Sequence, residues 1–504
     1  MKKRRIIALL FASMWLSSCE EYLDINQDPS NPQVADAHVL LPPIIASMAR
    51  GEAFDSRYVG QYIQNWHASG GGNVWDRHGY VAGSDAAGEK WRQHYFALGQ
   101  NIILTIKDGQ EKGKYDYSGV AKAIQAWSWQ STTDYHGEMI LKQMFEPNRY
   151  VFDFDSQEDV YAEVVRVAND ALVDLARTDG IVSTTSLARG DVVYKGDRTK
   201  WIKFVNGVLA RNANHLSNKS TYNPDKVIEF VDKSMASNAD NFNVPHTGTS
   251  TADGNFFGPT RNNMGGFRQS NYILSLLNGV IFPGVRDPRL PIMLTASVDG
   301  TYRGVNTTFG DPNSANVNTR ILTLWNTVPG VVNTPLNGKY IFTDKADHPL
   351  LTYFELQFIK AEALLRKGDR VKALEAYRNG ITAHMSYAGV AARDQTDYLA
   401  STAVVKVATD LKLSDIMTQK YIALWGHGCL ETWVDMRRFN YSSDVFTGFV
   451  LPIATQLSAN NNGKPAQRVR PRFNSEYVWN RNSLDAIGGN NFDYHTYELW
   501  FAKQ

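Results

Sequence analysis

One stretch constrains the fold more than any other: LTYFELQFIKAEALLRKGDRVKALEAYRNGITAHM, residues 351–385. Its spacing predicts one helix from about Tyr353 to Lys367, a turn at Gly368-Asp369, and a second helix that uses Val371, Leu374, Tyr377 and Ile381. The small residues Ala361, Ala373 and Gly380 let two helices approach closely, and Tyr377 fills the groove between them. A chain holding such a unit is built by stacking helical hairpins.

The positions of Ala361, Leu364, Gly368, Ala373, Tyr377 and Gly380 are those of a tetratricopeptide (TPR) repeat. Elsewhere the helical pairs are only loosely TPR-like. Between Asp159 and Leu175 the apolar positions Tyr161, Val164, Val165, Ala168, Leu172 and Leu175 make one stripe, and Ser156 with Asp159 reads as its capping box. Trp201, Phe204, Val205, Val208 and Leu209 make another, and Ser414–Leu424 a further helix. Segments 241–266 and 299–340 are rich in Gly, Asn, Thr and Pro with scattered aromatics, and 459–480 has the same character; these read as long folded loops. The expected fold is therefore mainly α: a TPR-like helical-hairpin superhelix (about 90–235 and 350–440) with an irregular, loop-rich second subdomain (about 236–349 and 441–504).

The N-terminus points to a compartment. Lys2–Arg5 is a basic cluster, and Ile6–Leu16 is an apolar run shorter than the ~20 residues a spanning helix needs. Residues 1–18 read as a signal peptide that ends in Leu16-Ser17-Ser18-Cys19, the pattern of a bacterial lipobox, with Cys19 as the lipidated residue. Acyl chains on Cys19 would hold the chain on a membrane without a spanning helix. Residues 19–43, rich in Asn, Asp and Pro, read as a tether, and 44–504 as the folded body.

Composition removes several function classes. The 504 residues hold 52 Lys and Arg against 51 Asp and Glu, with no basic block in the mature part, which argues against nucleic-acid binding. Two cysteines exclude a disulfide framework and a multi-cysteine metal cluster. The chain has no HExxH, GxSxG, SxxK, Walker A or CxxC motif, so no catalytic residue, metal ligand or cofactor is assigned. His136, His215 and His427 read as structural, Cys429 as a buried inert thiol, and Asp153–Asp159 as an acidic helix start rather than a calcium loop. A pair of carboxylates for glycoside hydrolysis stays open, because such pairing is spatial.

What remains is aromatic loop surface. Gln64–Gly83 sets Trp66, Trp75 and Tyr80 around a glycine run, with Asp76, Arg77 and His78 between them. Sugars present apolar C–H faces ringed by hydroxyls, which flat aromatic rings and Arg or Asn side chains complement. Trp75, Arg77, Tyr80, Tyr302 and Trp325 are the candidate ligand-binding residues.

An ordered set of motifs resembles the SusD/RagB family of outer-membrane lipoproteins. It comprises the acidic CEEYLDINQDPSNP after the lipobox, Trp91-x3-Tyr95, the turn Asp134–Gly137, Gly196-Asp197-x3-Trp201, Arg286–Met293, Trp433–Asn440 and Arg468–Asn480. The resemblance implies a non-catalytic surface lipoprotein that captures a glycan, or sometimes a peptide, and passes it to a SusC-like TonB-dependent transporter in the outer membrane. It also implies that Trp201, Asp287, Arg289 and Arg437 are structural or interface positions. A surface glycoside hydrolase and a protein-binding TPR adaptor are the competing readings.

Overall fold

A computed structural model describes residues 35–331 and 338–504. The expected signal peptide, Cys19 and most of the expected tether lie outside the described residues. The main helices are α1 (Ala37–Tyr62), α2 (Gln100–Glu111), α3 (Tyr115–His136), α4 (Gln157–Ala176), α5 (Arg198–His215), α6 (Pro224–Asp232), α7 (Tyr353–Lys367), α8 (Arg370–Ala388), α9 (Ala392–Ala400), α10 (Leu413–Leu424) and α11 (Cys429–Arg438). Successive helices from α2 to α8 pack on one another, α10 packs on α7, α8 and α11, and α1 lies across α2 and α11. The fold is mainly α and TPR-like.

Local signals account for much of this. The Ser156 side chain caps α4 by accepting from the Asp159 amide, and Asp197 caps α5 in the same way. Gly368 ends α7 in the left-handed conformation that glycine adopts without strain. A side chain on Gly380 would meet the Phe358 ring at 2.8 Å, so the small position brings α8 against α7. The stripe of α8 that faces inward is Ala373, Ala376, Tyr377, Gly380 and Ile381. Val371, expected on that stripe, is 72% exposed, and Val165 of α4 also faces solvent.

Residues 37–43 are not tether but the start of α1, with Pro42 and Pro43 inside the helix. A proline in a helix interior costs ~3 kcal/mol. Leu41, Ile44, Ile45 and Met48 are completely buried along this segment, at ~1.5–3 kcal/mol each, and outweigh that cost.

Two apolar cores share the molecule. One lies among α2–α6, the first half of α1 and the Leu356–Ile359–Ala363 face of α7; the other lies among α8–α11, the Phe354–Phe358–Ala361 face of α7, the second half of α1 and the loop-rich residues 256–342. The loop-rich stretches thus have no core of their own. They hold two short antiparallel ladders, β1 (Trp66–Ala68) with β3 (Phe267–Gln269), and β2 (Phe242–Val244) with β4 (His348–Leu351).

Charge is buried between the helices. Arg438 of α11 pairs with Glu362 of α7 and with Asp435, and Lys420 of α10 pairs with Glu431 and Asp435. His215 sits between Asp134 and Glu431; despite its burial, these two carboxylates raise it to about 9, so it is a cation at neutral pH. The motif residues are equally internal. Arg289 is fully buried and holds Asp287 at 2.6 Å and Gln419 at 2.8 Å, Trp201 donates to Asp191, and Arg437 donates to the Asp134 and Gln467 carbonyls. Cys429 is buried and pushed up to about 12 by that burial. His427 is buried too, but neither of its ring nitrogens finds a hydrogen-bond partner among the described residues.

Candidate functional site

α1 ends at Tyr62, and the chain leaves it through β1 into the loop that carries Trp75 and Tyr80. Trp75 turns inward. Its ring packs 4.7 Å from Tyr58 and 5.9 Å from Tyr62, and only 5% of the residue is exposed. The Tyr62 hydroxyl donates to the Gly79 carbonyl at 2.7 Å and fixes where the loop turns outward. Residues 80–88 then face the C-terminal segments 468–477 and 490–495 across a cleft of about 260 Å³. Ligand clefts of ~300–1,000 Å³ are the usual range, so this one lies just below it.

The cleft walls are aromatic rings and guanidinium groups. The Arg470 guanidinium lies 4.4 Å over the Tyr80 ring and 5.1 Å from that of Tyr477. Phe473 and Tyr477 stack with centroids 5.7 Å apart. Arg470 donates to the carbonyls of Gly489 and Asn491, and the hydroxyls of Tyr80 and Tyr477 donate to those of Phe492 and Gly489. Asp85 accepts from Arg472 and Asn474 and clips the first loop to the last segment.

Protonation follows from burial. Burial pushes the Tyr477 phenol up to about 12, which keeps it a donor at neutral pH. Burial and the Arg470 charge hold His495 down to about 4, so its ring is neutral. The cleft therefore offers flat apolar area, hydroxyl groups and positive charge, with Asp85 its single lining acid among the described residues.

The sequence-derived candidates separate. Trp75 and Tyr80 both line this cleft, Trp75 at its inner end. Arg77 is exposed on the same loop but outside the cleft. Tyr302 lies elsewhere, under the Arg286 guanidinium at 5.4 Å. Trp325 is a core residue, 4% exposed, whose indole donates to the Phe257 carbonyl at 2.6 Å. It leaves no ring face open to a ligand. Arg470, Phe473 and Tyr477 were missed. Their signal is three arginines at every second position followed by Phe473 and Tyr477 in RVRPRFNSEY, which reads first as loop character.

Among the described residues, no group of three or more His, Cys, Asp or Glu side chains has metal-holding geometry, and no helix is long and apolar enough to cross a membrane. Acids do gather at Glu52, Asp134, Glu355 and Glu431, around a cavity of about 40 Å³ that has no room for a sugar ring.

Residues 29–470 match the SusD-like family described as starch-binding, associating with outer membrane. No curated protein matches the chain. Among solved structures, a SusD/RagB family protein from Bacteroides thetaiotaomicron VPI-5482 is 22% identical, with a TM-score of 0.72 over 93% of this chain and 99% of that one. A chitin-binding protein is 19% identical, with a TM-score of 0.71 over 93% and 100% of the two chains. A chitin-binding SusD homologue from Flavobacterium johnsoniae is 20% identical, with a TM-score of 0.68 over 92% and 96%.

Proposed function

Because the chain belongs to the SusD-like family of starch-binding proteins that associate with the outer membrane, we propose that it is a cell-surface lipoprotein that captures a glycan and delivers it to a SusC-like TonB-dependent transporter. The observation that carries the glycan reading is the cleft between Tyr80, Arg470, Phe473 and Tyr477. Stacked rings offer apolar faces to a sugar, the phenol oxygens can accept from its hydroxyls, and the guanidinium N–H groups not spent on backbone carbonyls can donate to them. Cys19, acylated after removal of residues 1–18, is the membrane anchor in this reading.

The geometry favours binding without turnover. Glycoside hydrolysis needs two carboxyl groups about 5–10 Å apart across the sugar. Asp85 is the cleft's lining acid, and it is committed to Arg472 and Asn474. The other acid cluster surrounds the 40 Å³ cavity.

Calorimetry of the purified protein against neutral polysaccharides, oligosaccharides and peptides tests the reading. A glycan should bind, and Tyr80→Ala or Phe473→Ala should weaken it by about tenfold or more, the loss of a stacking face. Unchanged affinity in both variants removes the cleft from the site. Binding of peptides alone replaces the glycan as ligand, and measurable hydrolysis of an oligosaccharide sinks the non-catalytic role. Solubilised membranes should yield the protein together with a large barrel protein, and recovery of the protein alone counts against the transporter pairing.

A further inference from the structure

A second cleft lies along the Pro43–Phe54 part of α1, and it shares no lining residue with the first. Arg50, Phe54 and Arg57 stand at i, i+4 and i+7 on α1, a spacing that puts them on one stripe of the helix. That stripe faces the segment carrying Phe256 and Arg261. The rings of Phe54 and Phe256 lie 5.7 Å apart. The Arg57 guanidinium sits 4.1 Å over Phe54 and 5.2 Å from Phe256, and that of Arg261 lies 5.7 Å from Phe256. Two adjoining hollows, of about 400 and 450 Å³, share Arg50, Phe256 and Arg261 in their walls.

The charges of this cleft are unbalanced. Elsewhere, Arg211 holds Glu355, Arg289 holds Asp287 and Arg438 holds Glu362, whereas buried Arg268 and Arg437 donate to backbone carbonyls. Arg50, Arg57 and Arg261 form no ion pair among the described residues. Arg57 donates from Nε to the Phe54 carbonyl and Arg261 donates to the Gly254 carbonyl, which leaves guanidinium nitrogens unused. Against these arginines the lining holds one acid among the described residues, Asp253, which accepts from the hydroxyls of Thr247 and Thr249; Asp344 nearby accepts from the amide and hydroxyl of Thr260. Burial and the Arg50 charge together hold the Arg261 guanidinium below its usual range. Two arginines without an ion pair, Arg50 and Arg261, beside an aromatic floor are stabilised by an oxyanion that the planar forks can grip, and least by a neutral ring.

We propose that this cleft is a second ligand site, which takes a sugar ring bearing an oxyanion, a carboxylated or sulfated glycan. The proposal rests on the glycan-capture reading for its ligand class, but on different residues. The oxyanion sits between Arg50 and Arg261, and the ring lies toward Phe54 and Phe256, which Arg57 backs by stacking on Phe54.

The test is calorimetry on the purified full-length protein in detergent. The probes are a galacturonic acid trimer, its methyl ester, a sulfated galactose oligomer, the same oligomer desulfated, and sodium sulfate. The acidic trimer or the sulfated oligomer should bind at least about tenfold more tightly than its neutral counterpart, with affinity falling as salt rises. Arg50→Gln/Arg261→Gln should lose that margin while Tyr80→Ala keeps it. Arg50→Lys/Arg261→Lys keeps the charge but not the fork and should fall between. Failure of both acidic probes to bind overturns the proposal. So does undiminished acidic binding in the glutamine variant, or, should that variant not fold, an undiminished margin of charged over neutral probes in the lysine variant. Sodium sulfate binding as tightly as the oligomers makes this an ion site and ends the sugar assignment. Because Tyr80→Ala reports on the first cleft alone, the two readings fail separately.

Discussion

The Asp85 carboxylate and the Arg472 guanidinium meet at 2.6 Å, joining the loop that follows β1 to a segment near the C-terminus. Both side chains are about a quarter exposed, so the pair adds little to global stability. Its effect is positional, because it sets the gap between Tyr80 and Phe473. Asp85→Ala is expected to shift the unfolding free energy by less than about 1 kcal/mol and to weaken glycan binding several-fold. Parallel thermal unfolding and calorimetry check this. A large stability loss with unchanged affinity would contradict it.

Glu362 faces the opposite situation. It is fully buried, and its two oxygens accept from Arg438 and Asn214, with Arg366 alongside. Glu362→Ala strips Arg438 of one of its two carboxylates inside the protein. Removing one partner of a buried pair costs ~3–5 kcal/mol, and denaturant unfolding should show a loss of that size. Glu362→Gln keeps one acceptor oxygen but turns the other into an amide donor facing Arg438 and its neighbours, so it should also lose stability, by less than the alanine variant because the side-chain volume is kept.

Gly380 tests the helix contact. A methyl group there would sit 2.8 Å from the Phe358 ring in a filled core. Gly380→Ala should therefore destabilise by ~1–3 kcal/mol, even though alanine is the better helix former, and Phe358→Leu should relieve part of the loss. A stabilised Gly380→Ala protein would show that α7 and α8 are less closely packed than described.

Stability should fall on acidification. His67, His78, His94, His136 and His427 are held down to about 3 by burial, so they stay neutral in the folded protein. The unfolded chain protonates its histidines below about pH 6.5, so it binds more protons between there and pH 3. Each such histidine costs up to ~2 kcal/mol at pH 5. Asp55 and Asp76, raised by burial to about 8 and about 6, work in the other direction and offset part of the loss. The unfolding midpoint should drop between pH 7 and pH 5, and a flat or rising profile over that range would refute the assignment.

Legibility in the sequence followed the range of the interaction. The α7–α8 hairpin, the Ser156 cap and the stripe through Trp201 were readable because each depends on residues close in the chain. The start of α1 was not. Two prolines argued locally against a helix, and only packing of Leu41, Ile44 and Ile45 against α2–α6 decided for it. Trp75 and Trp325 show the same limit for the site. A tryptophan in a glycine-rich loop is the same string whether its ring faces solvent or a core, and here Tyr58, Tyr62 and Phe257 claim those rings.

The sequence by itself determined the helical-hairpin repeat, the family motifs and the absence of local catalytic signatures, because periodicity and short motifs are written in adjacent residues. Only the tertiary structure decided which aromatics stay open and which charges stay unpaired. Tyr80 meets Arg470, and Phe54 meets Phe256, across long stretches of intervening chain. The free energy of a ring or a guanidinium depends on what desolvates it, and that partner is chosen by the fold rather than by the neighbours in sequence.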